Sequence, residues 1–150
     1  MSEGEVLAFL GEERIVTCGT NGPHGFPHLM PLWFVIRSHP TPTVWAWTFA
    51  KSQKTKNLER DPRATLQVEA GRDRYDQLRG VMLETEVVIH RDLETVLGVG
   101  LDVFRRYTGV EDLDGGVAAM VEKQAPKRVA FEFVEKRRAT WDHRKLGGTY

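Results

Sequence analysis

Three lysines crowd one turn of this chain. In VWAWTFAKSQKTKNLERDPRATLQV, residues 44–68, Lys51, Lys54 and Lys56 fall between two β-rich runs. Ser52 stands where it would cap the short helix that the spacing predicts. A helix N-terminus already presents free backbone N–H groups and the positive end of its dipole. Ammonium groups there, where a purely structural helix would carry Asp or Glu, make a seat for an anion such as a phosphate. Lys54 is the centre of that seat, helped by Ser52 and the amides of Gln53 and Lys54, with Lys51 and Lys56 flanking. Trp45 and Trp47, on the strand before the turn, suit the wall of a pocket for a flat ring. The plainer alternative is a surface helix showing solvated charges.

Other chemistries find little support. His24 and His28 are four residues apart, but across a turn and a proline, and Cys18 is the one soft third ligand on offer. No metal site is expected from them. No nucleophile-elbow, zinc-protease or glycine-rich phosphate-loop motif is present. Glu84 and Glu86 share one side of a strand without anything else that a paired-carboxylate hydrolase needs. His143, in the tail, reads as a polar contact. The tail residues Trp141, Arg144 and Lys145 form a segment expected to pack on a ligand or a partner subunit.

Composition bounds the setting. With 150 residues the chain fits one domain, and its formal net charge of zero argues against nucleic acid or an anionic membrane as partner. The cationic character is local: Lys51 to Arg63 hold five Lys/Arg against two Asp/Glu. A single cysteine rules out an internal disulfide and suits a reducing, cytoplasmic setting. The first residues, MSEGEVLAFLGEE, read as neither a signal peptide nor a membrane span.

The elements that must position the lysines follow from periodicity. A capped helix is expected over residues 2–13, then strands over 14–19 and 28–37 around the turn-rich TNGPHGFP. After the proline-containing SHPTPT come strands over 44–49 and 63–69, with Asp61-Pro62 stopping the helix between them. Residues 78–90 alternate, with Val81, Leu83, Thr85, Val87 and Ile89 on one face. Residues 92–108 switch to helical spacing through Leu93, Val96, Leu97, Gly100, Leu101, Phe104 and Tyr107, closed by Gly109. A short helix over 112–124 and a last strand over 128–140, with Val129, Phe131 and Phe133 inward, complete the pattern. Six strands in sequential hairpins with peripheral helices predict a mainly β, α+β fold, a closed or partly closed antiparallel barrel.

The segment WTFAKSQKTKNLERDPRATL, the strand RGVMLETEVVI and the tail WDHRKLGG resemble the pyridoxamine-5′-phosphate oxidase-like split β-barrel superfamily. The tail is most similar to its group B flavin/deazaflavin-dependent oxidoreductases. The resemblance implies a six-stranded Greek-key split barrel, a homodimer with cofactor sites at the subunit interface, and a small-molecule substrate. It implies coenzyme F420 as cofactor, with FMN the alternative, and hydride transfer to an unsaturated organic substrate. A cofactor- or haem-binding carrier on the same barrel is the non-enzymatic alternative. It also assigns cofactor contacts: Lys54 and Ser52 at the phosphate, with Lys51, Gln53, Lys56 and Asn57 around them. Trp47 and Thr48 match the strand end whose backbone lies beside the ring, Met30, Pro31 and Leu32 the strand lining it, and Arg79, Gly80 and Trp141 complete the set. No arginine stands in HLMPLWFV and no arginine-rich C-terminal signature follows, so the resemblance does not extend to vitamin B6 oxidation. No catalytic residue is assigned.

Overall fold

In the computed structural model, which describes residues 1–38, 40–111 and 115–147, seven strands form one antiparallel sheet. The strands are β1 (Val16–Asn21), β2 (Pro27–Leu32), β3 (Phe34–Arg37), β4 (Thr43–Phe49), β5 (Arg63–Ala70), β6 (Arg79–His90) and β7 (Arg128–Asp142). Four α-helices accompany them: α1 (Glu3–Glu12), α2 (Gln53–Arg60), α3 (Leu93–Thr108) and α4 (Gly115–Gln124). His39 in the SHPTPT loop, the expected helix start at residues 112–114, and residues 148–150 lie outside the described residues.

The sheet order, β2-β1-β5-β6-β7-β4-β3, explains why seven strands stand where six are expected. The single strand expected over 28–37 divides at Trp33: β2 pairs with β1, and β3 pairs with β4 at the far end of the sheet. One residue therefore joins the sheet's two ends, and the sheet must curl until they meet. That is the split barrel. Curling is assisted where β7 carries one residue too many, Lys136, opposite the Glu84–Thr85 step of β6.

Alternation decides what fills the barrel. Ala64, Leu66 and Val68 of β5, Val81, Leu83 and Val87 of β6, and Val129, Phe131 and Phe133 of β7 are all buried in one cluster. α1 plugs that core with Val6, Phe9 and Leu10, held by a complete capping box between Ser2 and Glu5. A second apolar layer lies outside the barrel, where α3 covers β3, β4 and β7. Its buried face is Val96, Val99, Gly100 and Val103, rotated from the expected stripe, so that Leu93 is exposed. Rotation is what the close approach of Gly100 requires: a Cβ there would fall 2.9 Å from both the Trp47 ring and Val121.

Candidate functional site

The lysine turn sits at the end of β4 and is built by short-range hydrogen bonds. Ser52 caps α2, accepting from the Thr55 amide at 3.4 Å and sharing a 2.9 Å contact with the Thr55 hydroxyl, which in turn donates to Phe49 O at 3.0 Å. The Lys56 amide donates to Ser52 O. The amides of Gln53 and Lys54 precede the first intrahelical acceptor and have no partner among the described residues. α2 is anchored to the barrel by its other end: Asn57 donates to the buried Thr20 hydroxyl at 3.0 Å and accepts from Gln53 at 2.8 Å.

Anchored this way, α2 turns Lys54 inward while Lys51 and Lys56 stay in solvent. Lys54 retains only 9% of its exposure, yet has no hydrogen bond or ion pair among the described residues. Burial, reinforced by the like charge of Arg128, lowers its pKa below the ordinary lysine value. Nearby Cys18, buried in the core, has its thiol pushed up to about 12 by the same desolvation. The stem is buried while Nζ still reaches solvent, leaving an ammonium without a protein acceptor that an anion could complete.

Cross-strand register sets what else borders the turn. Met30 lies opposite Cys18, and His28 lies opposite Thr20, so β2 runs beside the floor on which α2 rests. Met30 is half-exposed and Pro31 exposed, whereas Leu32 turns into the core. His28 has a buried Nδ1 with no partner. Among the described residues no three His, Cys, Asp or Glu side chains converge to hold a metal.

One expectation is corrected by the packing of α3. Trp45 and Trp47 do not wall a pocket. Their side chains point under α3, where Trp45 stacks on His90 at 4.9 Å and Trp47 meets Phe104 edge-on at 6.1 Å. Both faces of β4 are apolar, and α3 covers the face bearing the tryptophans while Thr48 points the other way. Arg79, Gly80 and Trp141 stand away from the turn. Trp141 belongs to β7 and lies directly opposite Gly80, its ring so close that a Cβ on Gly80 would fall 2.1 Å away. Arg79 is tied to α1, with Glu12 at 2.9 Å and the Phe9 ring 4.8 Å below. These three residues stand at one end of β7, and the turn stands at the other, where Thr48 pairs with Val129. Twelve residues of strand between Val129 and Trp141 span about 40 Å of contour at ~3.3 Å per residue. Within one chain they do not meet.

The tail likewise folds on its own chain rather than standing free. The His143 amide donates to Leu78 O at 2.9 Å, and Lys145 bridges to Glu5 of α1 at 2.7 Å. Glu84 and Glu86 are each neutralised by β7, through Arg137 and Lys136 at 2.9 Å or less. A groove of about 580 Å³ crosses the outer face of the sheet, lined by Gly19, Leu29, Arg63, Thr65, Glu84 and Lys136 among others. It borders α2 through Asn21, whose carbonyl accepts from Arg60, but Lys54 is not in its wall.

Sequence reasoning missed Arg128. At the start of β7 it pairs with Phe49, and its guanidinium lies 3.5 Å from the Phe49 ring centre and 4.5 Å from that of Trp47. Its Nε is buried without a partner, as is Trp47 Nε1. A lone arginine opening a strand carries no local signal; only the pairing of β7 with β4 brings it to the turn.

A split barrel with a lysine-bearing turn at the end of one strand is the class of protein that fold and site define. Residues 2–142 match the family described as pyridoxamine 5′-phosphate oxidase, and the chain belongs to that family. It is similar to the crystal structure of the conserved hypothetical protein Rv2991 from Mycobacterium tuberculosis, with 41% identity and a TM-score of 0.88 over 100% of this chain and 90% of that one. An F420 reductase has the same fold at 18% identity and a TM-score of 0.67, covering 93% of this chain and 98% of its own. So does HutZ, the heme storage protein of Vibrio cholerae, at 14% identity and 0.68, covering 93% of each chain. No curated protein matches the sequence. No helix among the described residues is long and apolar enough to cross a membrane.

Proposed function

We propose that this protein is a homodimeric oxidoreductase that holds a flavin-type cofactor by its phosphate at the β4–α2 turn. Coenzyme F420 is the first candidate and FMN the second. The observation that carries the reading is Lys54: nine-tenths buried, without a partner, beside the free Gln53 and Lys54 amides. This donor set suits a phosphate, because each N–H and the ammonium would gain a charge-assisted hydrogen bond. Fold similarity to an F420 reductase and the resemblance of the tail to group B enzymes support the deazaflavin.

When bound, such a cofactor supplies hydride for an unsaturated organic substrate, and the protein supplies binding, orientation and a dry wall. Lys54 would grip the phosphate, and Ser52 would hold the helix start in place. Met30 and the Thr48 backbone would border the ring. Gly80 and Trp141 can reach the same cofactor only from a partner subunit, since strand length separates them from the turn. That separation is the structural argument for a dimer.

Titration of the purified protein with F420 and with FMN, followed by fluorescence quenching, tests the reading. Micromolar binding of one of them, with turnover of the reduced form by quinone or enone acceptors, is the expected result. Absence of binding to both would overturn it. A carrier is the second reading, favoured by the fold shared with a heme storage protein. Tight binding of haem or cofactor with no oxidation of the reduced cofactor would select it.

A further inference from the structure

Along β2 the inner face of the sheet comes out of the core. Val16, Cys18 and Thr20 of β1 are buried, and their cross-strand partners Leu32, Met30 and His28 share that face. Leu32 is sealed in the core, whereas Met30, next along the face, is 40% exposed and His28 beyond it is half-buried. The opening over Met30 lies beside the lysine turn, because Met30 faces Cys18 and Cys18 is near enough to Lys54 for the ammonium to act on its thiol. On the other side of Met30, His28 lies opposite Thr20, which receives Asn57 of α2. Lys54 and His28, two polar side chains without a partner among the described residues, thus flank one half-exposed thioether.

The imidazole is set up as a donor. His90 and His143 each have a ring nitrogen engaged, by Glu132 and by Tyr75 O. His28 has neither engaged among the described residues. Its Nδ1 is buried, so a proton there would be a dry donor without an acceptor. In the neutral ring the proton is therefore assigned to Nε2. Nε2 is not among the buried unpartnered atoms, so it reaches solvent at the open end of the face. One N–H is left to offer, next to an apolar, polarizable side chain.

We infer that His28 Nε2–H is a hydrogen-bond donor to a conjugated carbonyl oxygen on a planar molecule lying over Met30. A conjugated carbonyl places its accepting oxygen in the plane of a flat apolar body, which is what one donor beside a thioether can hold. A carboxylate or phosphate would instead be drawn to the Lys54 ammonium. Two sources carry this chemistry: the ring of a flavin-type cofactor and a quinone or enone acceptor. The first source rests on the function proposed above, and the second can be tested without it. In either case His28 selects for a carbonyl, since an analogue without one leaves Nε2–H unpaired when water is excluded.

Imidazole 15N NMR of the native protein reads the contact directly, with His28→Gln identifying the signal. The proton is expected on Nε2 in the free protein, and saturating F420, FMN or menadione should move that resonance. Whichever probe moves it names the source of the carbonyl. His28→Leu should weaken binding of that probe about three- to tenfold, the worth of one neutral hydrogen bond. His28→Gln, which keeps an N–H near the place of Nε2, should retain most of the affinity. The preference for FMN over riboflavin should stay as in the native protein, because the imidazole does not serve the phosphate. Saturation by a cofactor and by menadione with the Nε2 signal unmoved, and native affinity in His28→Leu, would overturn the inference and leave the cofactor reading intact. A shift with menadione but no binding of F420 or FMN would support the carbonyl contact and sink the cofactor reading instead. A proton found on Nδ1, or no probe bound by the native protein, would also overturn the inference. Circular dichroism of each variant guards against misfolding, and the native spectra decide the matter if His28→Leu fails to fold.

Discussion

Lys54 and its neighbour Cys18 show how burial converts ordinary side chains into defined ones. Replacing Lys54 with Ala should weaken cofactor binding by ~1.5–3 kcal/mol, the range for a hydrogen bond to a charged group. Isothermal titration would measure it, and unchanged affinity in a folded variant would remove Lys54 from the site. The pH dependence has a definite sign. The ammonium is the form that holds an anion, and burial lowers its pKa. Anion affinity should be flat at low pH and fall as pH rises through that lowered value, earlier than for an exposed lysine. Cys18 moves the other way, raised from 9.0 to about 12. Its contribution to stability is complete below pH 9.0 and is lost as pH climbs toward about 12. A thiol reagent at pH 8 should therefore label the native protein slowly and the unfolded protein at once. Rapid labelling of the native state would contradict the buried placement. The Ser52 cap and the lysines were legible in the local spacing. The unpaired state of Lys54 was not, because it depends on Thr20 and the barrel floor receiving Asn57.

At the level of elements, β6 and β7 carry the clearest lesson. Their alternation predicted which residues fill the barrel, and Val81, Leu83, Val129, Phe131 and Phe133 do so. Alternation could not tell which layer covers each face. β4 is apolar on both sides, so Trp47 read as a pocket wall when it belongs beneath α3. The contact between Gly80 and Trp141 was equally hidden, since it depends on register rather than on period. Gly80→Ala should displace the indole and cost about 1–3 kcal/mol, as overpacking does. Urea denaturation with Trp emission would record it. An unchanged midpoint and spectrum would mean that the ring does not rest on the glycine.

For the whole molecule, the outer face of β2 and its turn is the surface to explain. Leu29 is 62% exposed and Phe26 79% exposed, and Leu29 borders the large outer groove. Apolar groups so placed fit the proposed subunit contact better than solvent. Sedimentation should show a dimer at micromolar concentration, and Leu29→Glu should shift it toward monomer and lower cofactor affinity with it. A monomeric wild-type protein that still binds cofactor would refute the two-subunit site.

Local sequence determined the elements, their caps, the antiparallel barrel and the cationic turn, because each rests on spacing between residues a few positions apart. The tertiary structure alone decided that Trp33 splits a strand between opposite ends of the sheet. It also placed Trp47 under a helix, separated Gly80 and Trp141 from the lysines, and brought Arg128 to them. The reason is physical: periodicity assigns a side chain to a face, whereas closure of the sheet and strand register assign that face a neighbour. Lysines that read at first as a seat on one helix end stand, after closure, beside the start of the last strand.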